Sequence, residues 1–392
     1  MKETDGHPDD KEREEARNGD LKREGEVGSE ESKMEPVERE RKPLYEKYLE
    51  WKRRKEEEEE EEERKRNPEK VTDPYAFEAR LFRQRWDEFY LKNYGCFDKK
   101  EIRTRSMDKN NLNAIHAHIS CCSNIPCKRF THNTLPHGGT ADQTLQVFYV
   151  KVGGITGGLQ WPLEVFGLVA LRDSVDYNHN IIFERERDKC QILTDQAQSN
   201  PYLELTGPVR AVMIYGRVIF EASLYVKGAT RSDDKELSLL ATSLGQFPSG
   251  HSCLIERSYS SRLSTLELML GHLTCSVEAT IEVRVTSGPW PDGFRCIFRA
   301  NASIGQWILL LETADDPVPL TGDKISFARQ VVSVDSDREL KVAATITNGS
   351  AIYTDEKGFK PLKMGASTKE LRIGGCMLEV TVYWSCFPFA PV

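Results

Sequence analysis

The chain has 392 residues, of which 30% are charged and 39% apolar, and a formal net charge of −8. Residues 1–70 hold 19 Lys and Arg against 26 Asp and Glu, and the remainder holds 35 against 36, so almost all of the net charge sits in the first segment. A near-neutral remainder gives no whole-domain electrostatic case for nucleic acid, and without a run of 18 or more apolar residues no membrane-spanning helix is expected.

Met1 to Asp10 is acidic and polar rather than a basic segment ahead of an apolar one, so no secretory signal is read and an intracellular chain, cytoplasmic or nuclear, is expected. In that setting the ten cysteines are expected as thiols. Residues 1–72 read as a low-complexity charged tail. Up to Arg41 it has almost no apolar residues and is expected to be disordered. Further on, the glutamates Glu56 to Glu63 lie between Lys52-Arg53-Arg54-Lys55 and Arg64-Lys65-Arg66, which predicts a helix with opposite charges three and four apart. The same basic runs resemble a nuclear-import address, opposed by the glutamates between them.

Residues 73–95 read as an amphipathic helix, with Asp73 as N-cap, Pro74 at the first helical position and Gly95 as the stop. Its apolar stripe of Phe77, Leu81, Phe82, Trp86, Phe89 and Tyr90 is expected to dock on the following domain. Residues 96–143 form a Cys/His-containing loop. From there to residue 392 the pattern is that of strands: Ile281, Val283 and Val285 alternate with polar neighbours, and so do Leu378, Val380, Val382 and Trp384. Similar segments recur at 145–152, 163–172, 211–227, 237–244, 304–312, 325–334 and 339–347, and Asn348-Gly349 signals a hairpin. The expected fold is mainly β, an antiparallel β-sandwich with a barrel as the alternative.

Several spaced motifs carry a resemblance. Leu145 to Val152, Trp161-Pro162-Leu163-Glu164-Val165-Phe166-Gly167 and Ala170-Leu171-Arg172-Asp173-Ser174 are followed by Asn180-Ile181-Ile182-Phe183, Arg185-Glu186-Arg187-Asp188, Leu205-Thr206-Gly207-Pro208 and Phe220-Glu221. In that order, with Trp86, Tyr90, Tyr94 and Gly95 upstream, they resemble a domain of unknown function abundant in the grasses, across residues 75–390. The resemblance implies no established activity, although some members of that family sit beside a ribosome-inactivating module. The N-glycosidase motif of such modules pairs a glutamate and an arginine three residues apart. Here Glu78 and Arg80 are two apart, which turns them to opposed faces of a helix.

Two clusters carry candidate chemistry. His116, His118, Cys121, Cys122, Cys127, His132 and His137 are zinc-type ligands, but their spacing matches no paired Cys-x-x-Cys framework, so no metal or other cofactor is expected. Arg172, Asp173, Asp176, Arg185, Arg187 and Asp188 crowd the segment between two predicted strands and form a candidate ligand-binding set for an anionic or sugar ligand; the alternative is a row of exposed ion pairs. Gly153-Gly154-Ile155-Thr156-Gly157-Gly158 lacks the Gly-Lys-Ser/Thr context of a phosphate loop and reads as a turn. The expected function is a non-enzymatic interaction module for an unidentified protein partner, with a hydrolase or N-glycosidase-like enzyme as one alternative and a carbohydrate-binding module as another. A deep pocket with paired, perturbed titratable groups favours catalysis, and an exposed apolar surface favours binding.

Overall fold

The alternating segments form strands in this computed structural model, which describes residues 53–55, 57, 58, 61, 62, 65–68, 72–94, 123, 125–132 and 139–388, less short gaps at 176–177, 196–199, 248–249, 291–293, 303, 314–316 and 349–350. Of residues 86–94 only the backbone is described. Ahead of Arg66, the described residues are helical, and Lys55–Glu58 and Lys65–Glu61 pair at 2.7 and 2.9 Å at the spacings the charge pattern predicts.

Helix α1 (Pro74–Tyr94) starts where the sequence places it: the Asp73 carboxylate accepts the Ala76 N–H at 2.9 Å, and Pro74 occupies the first turn, where no N–H donor is needed. Replacing Asp73 with alanine is expected to loosen the helix by about 1 kcal/mol. Amide exchange across residues 76–82 then quickens while the strands keep their protection; equal exchange in both proteins would show that the cap contributes nothing.

Among the described residues nine strands precede the longest one: β1 (Gly139–Thr140), β2 (Asp142–Ile155), β3 (Leu163–Arg172), β4 (Asn180–Arg185), β5 (Gln191–Leu193), β6 (Val212–Met213), β7 (Ile219–Val226), β8 (Lys235–Ser243) and β9 (Cys253–Ser260). A 24-residue strand follows, β10 (Ser264–Ser287). After it come β11 (Arg295–Asn301), β12 (Trp307–Glu312), β13 (Leu320–Thr321), β14 (Lys324–Ile325), β15 (Val331–Asp335), β16 (Leu340–Asn348), β17 (Ala351–Phe359), β18 (Met364–Ile373), β19 (Cys376–Ser385) and β20 (Phe387–Pro388). Among the described residues the pairings are antiparallel, the sheets are open, and no barrel closes. Gly153 and Gly154 belong to β2 rather than to the expected turn, while Gly157 and Gly158, with φ of 64° and 77°, make the turn itself.

Among the described residues the two largest apolar cores lie in the β region. In the first, Leu145, Val147 and Val150 of β2 and Leu266, Leu268 and Leu270 of β10 pack against Val165, Phe183, Phe220 and Leu224 from the sheet ordered β4-β3-β7-β8. In the second, Val277, Ala279, Ile281 and Val283 of the same β10 join Val380 and Trp384 of β19 against Phe298, Ile308, Val342 and Phe359 from the sheet ordered β12-β11-β16-β17. The core-facing parity of β10 changes from even to odd where its ladder with β2 slips between Leu273 and Ser276, so one strand serves two sandwiches.

Helix α1 covers the outer face of the first sandwich. Its buried contacts are Ala76 and Ala79 against Leu239, with Ala241 beside them, because methyl side chains let the helix backbone approach the sheet closely. Phe77, Leu81 and Phe82 of the expected stripe are only half-buried, and the side chains of Trp86, Phe89 and Tyr90 lie outside the described residues. This cover explains why β7 is buried along both faces from Ile219 to Tyr225. Arg329 ties the two halves together. It is buried and donates to the carbonyls of Val147 and Phe148, where the β2–β10 ladder slips between Met269 and Leu270 and leaves Phe148 without a β10 partner.

Candidate functional site

Arg172 and Asp173, adjacent at the end of β3, enter two separate buried ion-pair systems. Arg172 pairs with Glu221 of β7, and its second nitrogen lies 2.7 Å from His179 Nε2, which is itself 3.0 Å from Glu221. Arg83 of α1 reaches the same carboxylate at 3.4 Å and donates to the Ala222 carbonyl at 3.2 Å. Burial alone would raise the Glu221 carboxyl, but Arg172, His179 and Arg83 together hold it well below the usual carboxylate range. Burial, then Arg172, push the His179 imidazole below its ordinary value. Asp173 takes both Arg210 guanidinium nitrogens at 2.7 and 2.8 Å and also accepts the N–H groups of Val175 and Met213.

The rest of the candidate ligand set lies elsewhere. Arg185 pairs with Glu204 at 2.8 Å at the surface, and Arg187 grips Asp234 at 2.9 and 3.0 Å while donating to the Gly228 carbonyl. Asp188 is exposed in a short 3-10 turn, and Asp176 lies outside the described residues. The structure therefore brings Arg172 and Asp173 side by side and gives Arg185 and Arg187 partners of their own. Glu78 is exposed and Arg80 is bound by Glu236 at 2.9 Å, away from one another as their spacing predicts.

The segment 123–132 carries Cys127 and His132, while His116, His118, Cys121, Cys122 and His137 lie outside the described residues. Among the described residues no three His, Cys, Asp or Glu side chains are placed to hold a metal ion. Cys127 is half-buried and accepts from the Gln330 carboxamide at 3.7 Å; burial, then Glu278, push its thiol up, so it is protonated at neutral pH and a poor nucleophile. Together with Ser123, Thr206, Pro208, Phe327 and Gln330 it lines an open cleft of about 350 Å³. Ser123 connects this wall to the buried charges: its N–H donates to the His179 carbonyl at 2.9 Å and its hydroxyl accepts from Arg210 at 3.1 Å.

The second sandwich presents a different surface. Among the described residues β12 pairs only with β11, so its other edge is open. Ile308 and Leu310 point into the core, whereas Trp307 and Leu309 keep 39% and 45% of their surface exposed. The Arg299 guanidinium lies 5.9 Å from the Trp307 ring, so an aromatic, an arginine and a leucine share one sheet face beside an open edge.

Sequence reasoning missed Glu221, Arg210 and the exposed face of β12. For Glu221 the signal was available: a lone acid inside the apolar run from Ile219 to Val226 has to meet a cation. Trp307 and Leu309 sat inside a predicted strand, but which face was solvated depended on the second sheet.

A family model described as a domain of unknown function, DUF6598, matches residues 144–382. No curated protein matches the chain. Among solved structures, human GIVD cytosolic phospholipase A2 is similar at 11% identity and a TM-score of 0.22, covering 64% of this chain and 31% of that one. Its complex with methyl gamma-linolenyl fluorophosphonate aligns at 10% identity and a TM-score of 0.21, covering 64% and 33%. The chain thus spans about a third of the length of these structures, and TM-scores at this level carry no argument.

Proposed function

From the premise that the chain belongs to the DUF6598 family, a domain of unknown function, we propose that it is a non-enzymatic protein-interaction module of the cell interior. The observation that carries this reading is the open β12 edge with Trp307 and Leu309 exposed and the half-buried Arg299 beside them. Trp and Arg are the side chains that most often anchor protein interfaces, and an unpaired edge can take a partner's strand into the sheet through backbone hydrogen bonds. Support also comes from the buried charges. Glu221, Arg172, Asp173 and Arg210 neutralise one another inside the fold, and Cys127 in the cleft is held as a thiol.

The test is a double substitution, Trp307→Ser with Leu309→Ser, in the full chain. Exposed positions of this kind change stability by about 0.5 kcal/mol or less, so the melt stays cooperative, whereas binding of a captured partner weakens by at least about 30-fold, the worth of a hot spot of about 2 kcal/mol. Undiminished binding by the double variant removes the β12 surface from the reading. Turnover of a glycan or ribosomal substrate by the purified chain favours an enzyme instead.

A further inference from the structure

The face of β10 turned away from the second core carries Glu278, Thr280 and Glu282 at every second position, level with Ser385, Tyr383 and Thr381 of β19. Two acids on a buried sheet face need donors laid across them, and the segment 123–132 supplies these. The Lys128 N–H donates to Glu278 at 3.1 Å, and the Lys128 ammonium pairs with Glu282 while lying 3.8 Å from the centre of the Tyr383 ring. The Thr131 hydroxyl meets Ser385 at 2.9 Å, and His132 stands edge-on to Tyr383. Other groups share the acids: Lys324 reaches Glu282 at 2.8 Å, and the Ala211 N–H reaches Glu278 at 2.8 Å. The backbone is bent to bring the lysine here, since Lys128 has a φ of 63°, a region that L side chains rarely adopt and that surrounding contacts must enforce.

We propose that Glu282, Tyr383 and Glu278 form a recognition trough for the lysine of a basic partner segment, and that Lys128 fills it in cis. A carboxylate at one side and an aromatic face at the other are the two groups that hold a primary ammonium out of water. The occupant is set by charge: the trough offers an ammonium the Glu282 carboxylate and an electron-rich ring, and a backbone N–H the Glu278 carboxyl, and the residue already seated in it is a lysine followed by Arg129. A tethered lysine competes at an effective concentration in the millimolar range, so a partner segment meets a site that is closed until it displaces residues 125–131. This surface is separate from the β12 edge, and either can fail without the other.

The test uses a fluorescein-labelled peptide, Ile-Pro-Ser-Lys-Arg-Phe-Thr, which is the chain's own 125–131 with serine in place of the cysteine. Anisotropy titrations against the full chain and its Lys128→Met variant are expected to show the variant binding at least about tenfold more tightly. Acetylating the peptide's lysine, or adding Tyr383→Ala to the variant, removes that gain. Equal binding by both proteins, or a gain that survives acetylation, overturns the proposal. If Lys128→Met loses its cooperative melt, hydrogen exchange on the wild-type chain with millimolar peptide decides: faster exchange across 125–131 supports displacement, and unchanged exchange overturns it.

Discussion

Replacing Glu221 with alanine lowers the free energy of unfolding by about 3–5 kcal/mol, the range for breaking a buried ion pair from one side. The carboxylate is 2% exposed and is shared by Arg172, His179 and Arg83, so its removal takes from the Arg172 guanidinium, 3% exposed, the buried carboxylate it pairs with. Urea unfolding at pH 7 measures the loss. A shift of less than 1 kcal/mol would mean that water or a rearranged side chain takes over the arginine. The network also gives the stability a direction with pH. Glu221 titrates below its ordinary range in the folded chain, so its contribution is complete above the unfolded value of 4.5 and fades as pH falls through the folded one. His179 is also lowered when folded; below its unfolded value of 6.5 the unfolded chain binds the proton first, which again destabilises the fold on the acid side. Stability therefore begins to fall near pH 6.5 and drops more steeply below 4.5. In Glu221→Ala the steeper acid limb flattens.

Replacing Trp384 with alanine is the other large change expected. The indole is wholly buried in the second core, packs with Phe298 and Phe359, and donates its N–H to Ser367 at 3.0 Å. Truncating it costs about 3–5 kcal/mol through lost burial and the cavity left behind. Because the two cores meet through β10, the loss is expected to fall unevenly. Amide exchange quickens across β11, β16 and β19 while β3 and β7 retain protection, and Phe183→Ala in the first core gives the reverse pattern. Equal loss across both sandwiches in both variants would make them one cooperative unit, with β10 as a rigid spine rather than a shared boundary.

These effects separate what is local from what is not. Asp73 and Pro74 could be read directly as a helix start, because an N-cap needs only its own side chain and the next turn. The β3 bounds, Leu163–Arg172, coincide with the predicted segment, and the hairpin expected at Asn348-Gly349 appears as the β16–β17 ladder ending at Asn348↔Ala351. The segment of β10 before Ala279 was not read as strand, because Gly271, His272 and Thr274 to Ser276 break its alternation.

Alone, the sequence determined the β class, the antiparallel habit, the helix that precedes it and the concentration of charge in the first segment. All of these follow from periodicity and composition over neighbouring residues. Tertiary structure decided that one long strand divides the β region into two cores, that Arg83, Arg172, His179 and Glu221 form one charge network, and that Lys128 lies between Glu282 and Tyr383. Those partners are separated by 7 to 255 residues, and ladder register brings them together. A one-residue slip turns every side chain of a strand to the opposite face, so the meeting of distant charges is fixed by the whole topology and by no stretch of the chain within it.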